Sequence, residues 1–122
     1  MQLDTLIKTL EKQTGSTLEY PFGDDVMVYK VMDKMFALIG TKDNPRRLNL
    51  KCDPNDALAY RDIYENVIAG YHMNKKHWNT LYFDLNDSIP ADIIIEMINH
   101  SYDLVVSKLT KKQKEKLNNL NK

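Results

Sequence analysis

Apolar residues recur at Leu3, Leu6, Ile7 and Leu10, three and four positions apart, so the chain opens with an amphipathic helix. Gly15 stands where a left-handed C-terminal cap is expected. Tyr20-Pro21-Phe22-Gly23 follows as a shaped aromatic loop, because proline fixes φ and glycine supplies positive φ. The period then changes. Val26 to Met32 is rich in β-branched and aromatic residues and predicts a strand. Asp33-Lys34 reads as a hairpin turn, and Met35 to Gly40 as a more apolar, central return strand. After the polar loop Thr41 to Arg46, Arg47 to Lys51 alternates as a third strand. Its Leu48 and Leu50 share one face, and Arg47, Asn49 and Lys51 the other.

Asp53-Pro54 is a helix start, with Asp as N-cap and Pro at the first helical position. That helix runs to about Glu65 and ends before Val67-Ile68-Ala69-Gly70. Tyr71 to Lys76 is a polar loop, and His77 to Asp84 a fourth strand in which Trp78, Thr80 and Tyr82 alternate with Asn79, Leu81 and Phe83. Ser88, before Pro90, is placed to cap a long helix to about Leu109, whose buried stripe is Ile94, Met97, Ile98, Leu104, Val105 and Leu109. The order helix, three strands, helix, strand, helix predicts an α+β fold: an antiparallel sheet with helices packed on one face. Regular βαβ alternation is absent, which argues against a doubly wound sheet.

The chain of 122 residues accommodates a single domain, taken as residues 1–112, with 113–122 as a basic, frayed tail. One cysteine, Cys52, allows no internal disulfide, which fits a reducing compartment. No apolar run approaches the roughly 20 residues of a spanning helix. The N-terminus carries acidic residues and no basic region before an apolar core, so it does not read as a signal peptide. A cytoplasmic monomer with no membrane contact is expected.

Formal net charge is zero, which removes any global attraction to nucleic acid, where phosphate neutralisation dominates affinity. The charge is nonetheless uneven. Lys42, Arg46, Arg47 and Lys51 face only Asp43 within their segment, and Lys75 and Lys76 add a second basic site. The tail from Lys108 to Lys122 holds six lysines against Glu115, whereas Asp84, Asp87, Asp92, Glu96 and Asp103 occupy a stretch without Lys or Arg.

Catalytic motifs do not emerge. No glycine-rich phosphate loop is present. His72 and His77 lack the closer pairing of typical zinc ligands, so no metal is assigned. Cys52 with His72, His77 or His100 could form a nucleophile–base pair, but a lone cysteine at a strand end is more often a small core residue. Asp92 and Glu96 share a helix face and read as solvated charge. The expectation is no enzyme, no catalytic residue and no cofactor.

The segment Asn74-Lys75-Lys76-His77-Trp78 is more specific. Its lysines suit phosphates, Asn and His suit base edges, and Trp78 suits stacking. An ordinary solvated turn beside a core tryptophan accounts for the same residues. If the Arg47–Lys51 strand neighbours the fourth strand, Arg46, Arg47 and Lys51 could join Lys75 and Lys76 in one patch.

Five segments carry a resemblance: Tyr20-Pro21-Phe22-Gly23, Lys34-Met35-Phe36-Ala37-Leu38, Leu48-Asn49-Leu50-Lys51-Cys52-Asp53-Pro54, Gly70-Tyr71-His72-Met73-Asn74-Lys75-Lys76-His77-Trp78-Asn79-Thr80 and Ser101-Tyr102-Asp103-Leu104-Val105. Together they resemble the MmcQ/YjbR family from the first helix to about Lys112. The resemblance implies a CyaY-like, frataxin-like fold with a double-wing arrangement of hairpins, and a DNA-binding protein. The expected function is thus non-enzymatic DNA binding, weak and salt-sensitive, through Arg46, Arg47, Lys51, Asn74, Lys75, Lys76, His77 and Trp78. The alternative is a pocket for a small anion or a protein partner, formed by Tyr20–Gly23 and His72–Trp78, with Tyr20, Phe22 and His72 as its candidate lining.

Overall fold

The computed structural model describes residues 1–86 and 88–120. Asp87 of the acidic run, and Lys122 of the tail, lie outside the described residues. The elements are α1 (Leu3–Glu11), β1 (Ser16–Glu19), β2 (Val26–Val31), β3 (Lys34–Gly40), β4 (Arg47–Lys51), α2 (Pro54–Ile63), β5 (Val67–Ala69), β6 (Trp78–Leu81), α3 (Ala91–Ser107) and α4 (Lys111–Leu120). The strands form one antiparallel sheet in the order β1-β2-β3-β4-β6-β5, which places β3 and β4 at its centre.

Alternation along each strand decides what each sheet face meets. Tyr29, Val31, Ala37, Ile39, Leu48, Leu50 and Leu81 join the main core with Leu6 and Leu10 of α1, Ile94, Met97, Ile98 and Val105 of α3, and Leu117 of α4. Val28, Leu38 and Trp78 form a second, smaller cluster, flanked by Val26, Met35 and Met73. In β2, β3 and β4 these residues and Asn49 alternate with the core set, so they occupy the face away from the helices.

One side chain locks α3 to the centre of the sheet. The Ser101 hydroxyl donates to the Phe36 carbonyl at 2.6 Å and accepts from the Lys51 amide at 2.9 Å. It sits just past the last paired residues, Ala37 and Leu50, where β3 and β4 would otherwise leave these groups unbonded.

Several boundaries differ from the sequence reading. The β2–β3 turn is Met32-Asp33 rather than Asp33-Lys34; both have positive φ, 48° and 67°, and Val31 pairs with Lys34. This is the backbone that matches the twist of a two-residue hairpin. Two edge strands, β1 and β5, were not anticipated: they span four and three residues and are too short to show a period. The second helix stops at Ile63, because Tyr64 is extended. The fourth predicted strand shortens to Trp78–Leu81. Pro90, not Ser88, occupies the N-cap of α3; the Ser88 hydroxyl instead accepts from the Asn66 amide. The tail is not frayed over 113–120: α4 is regular, and its Leu117 is in the core. Gly15 (φ +74°) is where α4 approaches, since a Cβ there would lie 2.6 Å from the Leu117 methyl.

The α+β expectation is met, while the frataxin-like and double-wing labels go beyond what this strand order shows. None of the described helices is long and apolar enough to cross a membrane.

Candidate functional site

The helix-free face carries the main concavity of interest, about 480 Å³, lined by Phe22, Val26, Leu38, Gly40, Asp43, Arg47, Asn49, Tyr71, His72 and Met73. Its floor is apolar because Val26 and Leu38 point away from the helices. Its polar wall comes from β4, where Arg47 and Asn49 share that same face. Its rim is the connection between β5 and β6, folded back across the sheet. Gly70 makes that fold possible: its amide donates to the Trp78 carbonyl at 2.9 Å, and a Cβ would meet Trp78 at 2.9 Å and Met73 at 3.1 Å. His72 adopts φ of 59°, which turns the chain at the rim.

Arg47 is the central group. Its guanidinium carbon lies 4.0 Å from the Tyr71 ring centroid, and one terminal nitrogen is 3.4 Å from Asp43. Its Nε is buried without a hydrogen-bond partner. Burial acts to lower the Arg47 pKa, but a hydrogen bond with Tyr82 and the charge of Asp43 outweigh it and the net shift is upward. Asp43 folds over the end of β3 into the space beside Gly40, where a Cβ would stand 1.9 Å from the carboxylate and turn it away. Tyr71 and His72 pack edge to face, with centroids 4.0 Å apart.

A polar chain runs into the wall. The Tyr71 amide donates to Thr80 Oγ1 at 2.8 Å, and the Thr80 hydroxyl donates to Asn49 Oδ1. Register explains the contact, since Asn49 and Thr80 are direct partners across β4 and β6.

A second concavity lies at the other end of β4. Lys51, Cys52, Asp53, Pro54, Asn74, His77, Trp78, Leu104 and Lys108 line one groove, and Lys34, Met35, Lys51, Trp78, Val105 and Lys108 line its neighbour. Three lysines from β3, β4 and the end of α3 therefore converge around Trp78.

The residues expected to form one basic patch are divided. Arg47 and Lys51 are four positions apart on β4, about 13 Å along a strand, and face different concavities. Arg46 is turned to Asp84, 3.4 Å away, in a shallow groove with Met1, Gln2, Leu3 and Asp4. The Lys75 ammonium donates to the Gly70 carbonyl at 3.2 Å, and Lys76 is exposed. Asn74 stabilises its own turn by accepting from the Lys76 amide at 2.9 Å. Trp78 is only 8 % exposed and packs with Val28 and Leu38, so its ring offers no open face for a base. Of the expected pocket residues, Phe22 and His72 line the first cavity and Tyr20 does not.

Sequence reasoning missed Asp43 and Asn49 as lining residues of the cavity, Thr80 as the buried partner of Asn49 behind its wall, and Lys34 and Lys108 as members of the groove. Asn49 was already placed on the face of Arg47, but its pairing with Thr80 depends on a register that periodicity does not give. Among the described residues, no group of three or more His, Cys, Asp or Glu could hold a metal ion. Cys52 is buried, and burial, with Asp56 and Asp53 nearby, pushes its thiol up to about 12.

A family model described as YjbR matches residues 11–104. The uncharacterized protein YbdF of Escherichia coli O157:H7 is 36 % identical over 98 residues, 80 % of this chain and 79 % of that protein. The uncharacterized protein YjbR of Escherichia coli K12 is 32 % identical over 88 residues, 72 % of this chain and 73 % of that protein. The crystal structure of the Deinococcus radiodurans protein DR2400, which carries a DUF419 domain, superposes with a TM-score of 0.87 at 34 % identity, covering 96 % of this chain and 88 % of that one. A Pseudomonas syringae protein shares the fold, with a TM-score of 0.71 at 24 % identity over 85 % of this chain and 98 % of that one.

Proposed function

Because the chain belongs to the YjbR family, and that fold presents one sheet face free of helices, we propose that the domain is a non-enzymatic binding module whose cavity on that face takes a small anion. The observation that carries this reading is Arg47, with a buried Nε that has no hydrogen-bond partner in a wall beside an apolar floor. An unpaired buried donor costs about 1–3 kcal/mol, and an anionic acceptor recovers it once the guanidinium turns that donor toward the cavity. Asp43 is a weak internal competitor, 3.4 Å away with a side chain 40 % exposed, and a ligand can displace it to solvent. The reading assigns Cys52 no nucleophilic role, because burial raises its thiol to about 12 and disfavours the thiolate.

Titration of the protein with small anions at constant ionic strength, followed by amide chemical shifts, tests the reading. Shifts are expected at Arg47, Asn49 and Tyr71, and Arg47→Gln is expected to abolish them. Anion-induced shifts at these amides that persist unchanged in Arg47→Gln would sink it.

Nucleic-acid binding is the second reading, favoured by the convergence of Lys34, Lys51 and Lys108 with Asn74 and His77 around one groove. In this form it assigns phosphate contacts to lysines, with Lys75 and Lys76 on the adjoining loop, and gives Trp78 no stacking role. Each phosphate contact adds about 0.9 to the slope of log affinity against log salt. DNA titrations at several salt concentrations should show a slope that falls in Lys51→Glu/Lys108→Glu. Binding with no salt dependence would exclude it.

A further inference from the structure

The first cavity holds more information than the sign of its ligand. Thr80 is fully buried, so its hydroxyl proton needs an acceptor within the protein. Its oxygen already accepts from the Tyr71 amide, and the acceptor in reach is Asn49 Oδ1. This fixes the amide orientation of Asn49: the oxygen is consumed by Thr80, and the NH₂ group is left as the donor that faces the cavity Asn49 lines. The polar wall thus offers donors, from Arg47 and from Asn49, whose backbones are about 7 Å apart on one strand face.

Charge narrows the ligand further. Arg47 is the only Lys or Arg among the described residues that line the cavity, and Asp43 lies beside it. A phosphate dianion would bring two charges to one cation and face a carboxylate. A carboxylate brings one charge, and its two coplanar oxygens suit a guanidinium on one side and an amide on the other. Behind the donors, Val26, Leu38 and Met73 supply an apolar floor.

We infer that the cavity selects a monocarboxylate with an apolar body, its carboxylate bridging Arg47 and the Asn49 amide, and that Thr80 is the positioning residue that fixes Asn49 as a donor. This rests on the anion-cavity reading above and assigns that ligand its chemical class.

The test uses phenylacetate, phenylacetamide and phenyl phosphate as probes, titrated at constant ionic strength against the wild type, Thr80→Val, Thr80→Ser and Asn49→Asp, with Arg47→Gln as control. Phenylacetate is expected to bind at least about tenfold more tightly than either other probe, the scale of one charge-assisted hydrogen bond. Thr80→Val, which keeps the shape but removes the hydroxyl that donates to Asn49 and accepts from the Tyr71 amide, should weaken phenylacetate by about tenfold, while Thr80→Ser, which keeps both bonds, restores it to within about twofold. Asn49→Asp, which presents an acceptor in place of the donor, should abolish phenylacetate binding and covers the case in which Thr80→Val does not fold. Phenyl phosphate binding as tightly as phenylacetate, and lost in Arg47→Gln, overturns the carboxylate assignment and leaves the anion cavity standing. Full phenylacetate affinity in folded Thr80→Val or in Asn49→Asp overturns the role of the Thr80–Asn49 pair. No shift at the cavity with either anion overturns both readings.

Discussion

Replacing Ser101 with Ala removes one oxygen and strands two backbone groups. The hydroxyl is fully buried, and it satisfies the Phe36 carbonyl and the Lys51 amide at once. A buried group left unsatisfied costs about 1–3 kcal/mol. The Phe36 carbonyl bond is buried and takes the full cost, whereas the Lys51 bond is only partly buried and takes less. The sum is about 2–4 kcal/mol, a large share of the roughly 5–15 kcal/mol that holds a domain folded. For a chain of this size, a loss of about 3 kcal/mol lowers Tm by roughly 10 °C. Urea unfolding gives the total, and amide hydrogen exchange locates it. Lys51 should lose protection well beyond the global change, and Leu50, paired with Ala37 across the ladder, should follow only the global change. A loss below about 0.5 kcal/mol, the range of ordinary surface substitutions, would refute the reasoning. It would mean that water takes the hydroxyl's place, or that β3 and β4 close over the gap.

Three further predictions follow from single environments. Asp53→Ala should cost about 1 kcal/mol, since the carboxylate caps α2 by accepting from the amides of Asn55 and Asp56 at 3.0 and 3.3 Å, and Asp53→Asn should retain most of that; equal urea midpoints for wild type and Asp53→Ala would count against the cap. Burial raises Cys52 from 9.0 to about 12 and Tyr29 from 10.0 to about 12, so the unfolded chain releases these protons first; stability should be full below about pH 9 and fall as pH rises toward 12, and a flat urea midpoint from pH 8 to 11 would contradict it. Trp78, the sole tryptophan, should resist iodide quenching several-fold better than in urea; equal quenching in both states would place its ring in water rather than in the cluster with Val28 and Leu38.

Periodicity made much of the fold legible because its main elements are long or strictly alternating. The stripe of Leu3, Leu6, Ile7 and Leu10 and the alternation of Arg47 through Lys51 each require one structure, and the structure supplies it. Ser16–Glu19 and Val67–Ala69 were not legible, because strands of three or four residues at a sheet edge are defined by the partner they pair with. The hairpin turn slipped by one because Met32, an unbranched apolar residue, accepts a left-handed conformation that composition would assign to Asn or Gly. The candidate site was half legible for the same reason. The sequence places Arg47 and Asn49 on one face, but only the pairing of β4 with β6 brings Thr80 against Asn49 and separates Arg47 from Lys51.

The stretch from Gly70 to Trp78 owes its composition to a position between two concavities. Tyr71, His72 and Met73 close the cavity around Arg47, while Asn74, His77 and Trp78 wall the groove around Lys51. The buried Trp78 ring and its apolar neighbours stand between them as a divider. A connection that simply linked β5 to β6 would need only a few polar residues. This one is longer, folds back over the sheet and is pinned by the Gly70 amide, the Thr80 hydroxyl and the Asn74 carbonyl, which accepts from the amides of His77 and Trp78 at 3.2 and 3.0 Å. Aromatic and basic residues next to one another in sequence thus serve opposite sides of one wall. A substitution in Tyr71–Met73 should disturb anion binding in the cavity and leave the lysine groove intact, and a substitution at Asn74 or His77 should do the reverse. Loss of both responses from any one exposed position, His72 or His77, in a folded variant would show that the wall is a single site and not a partition.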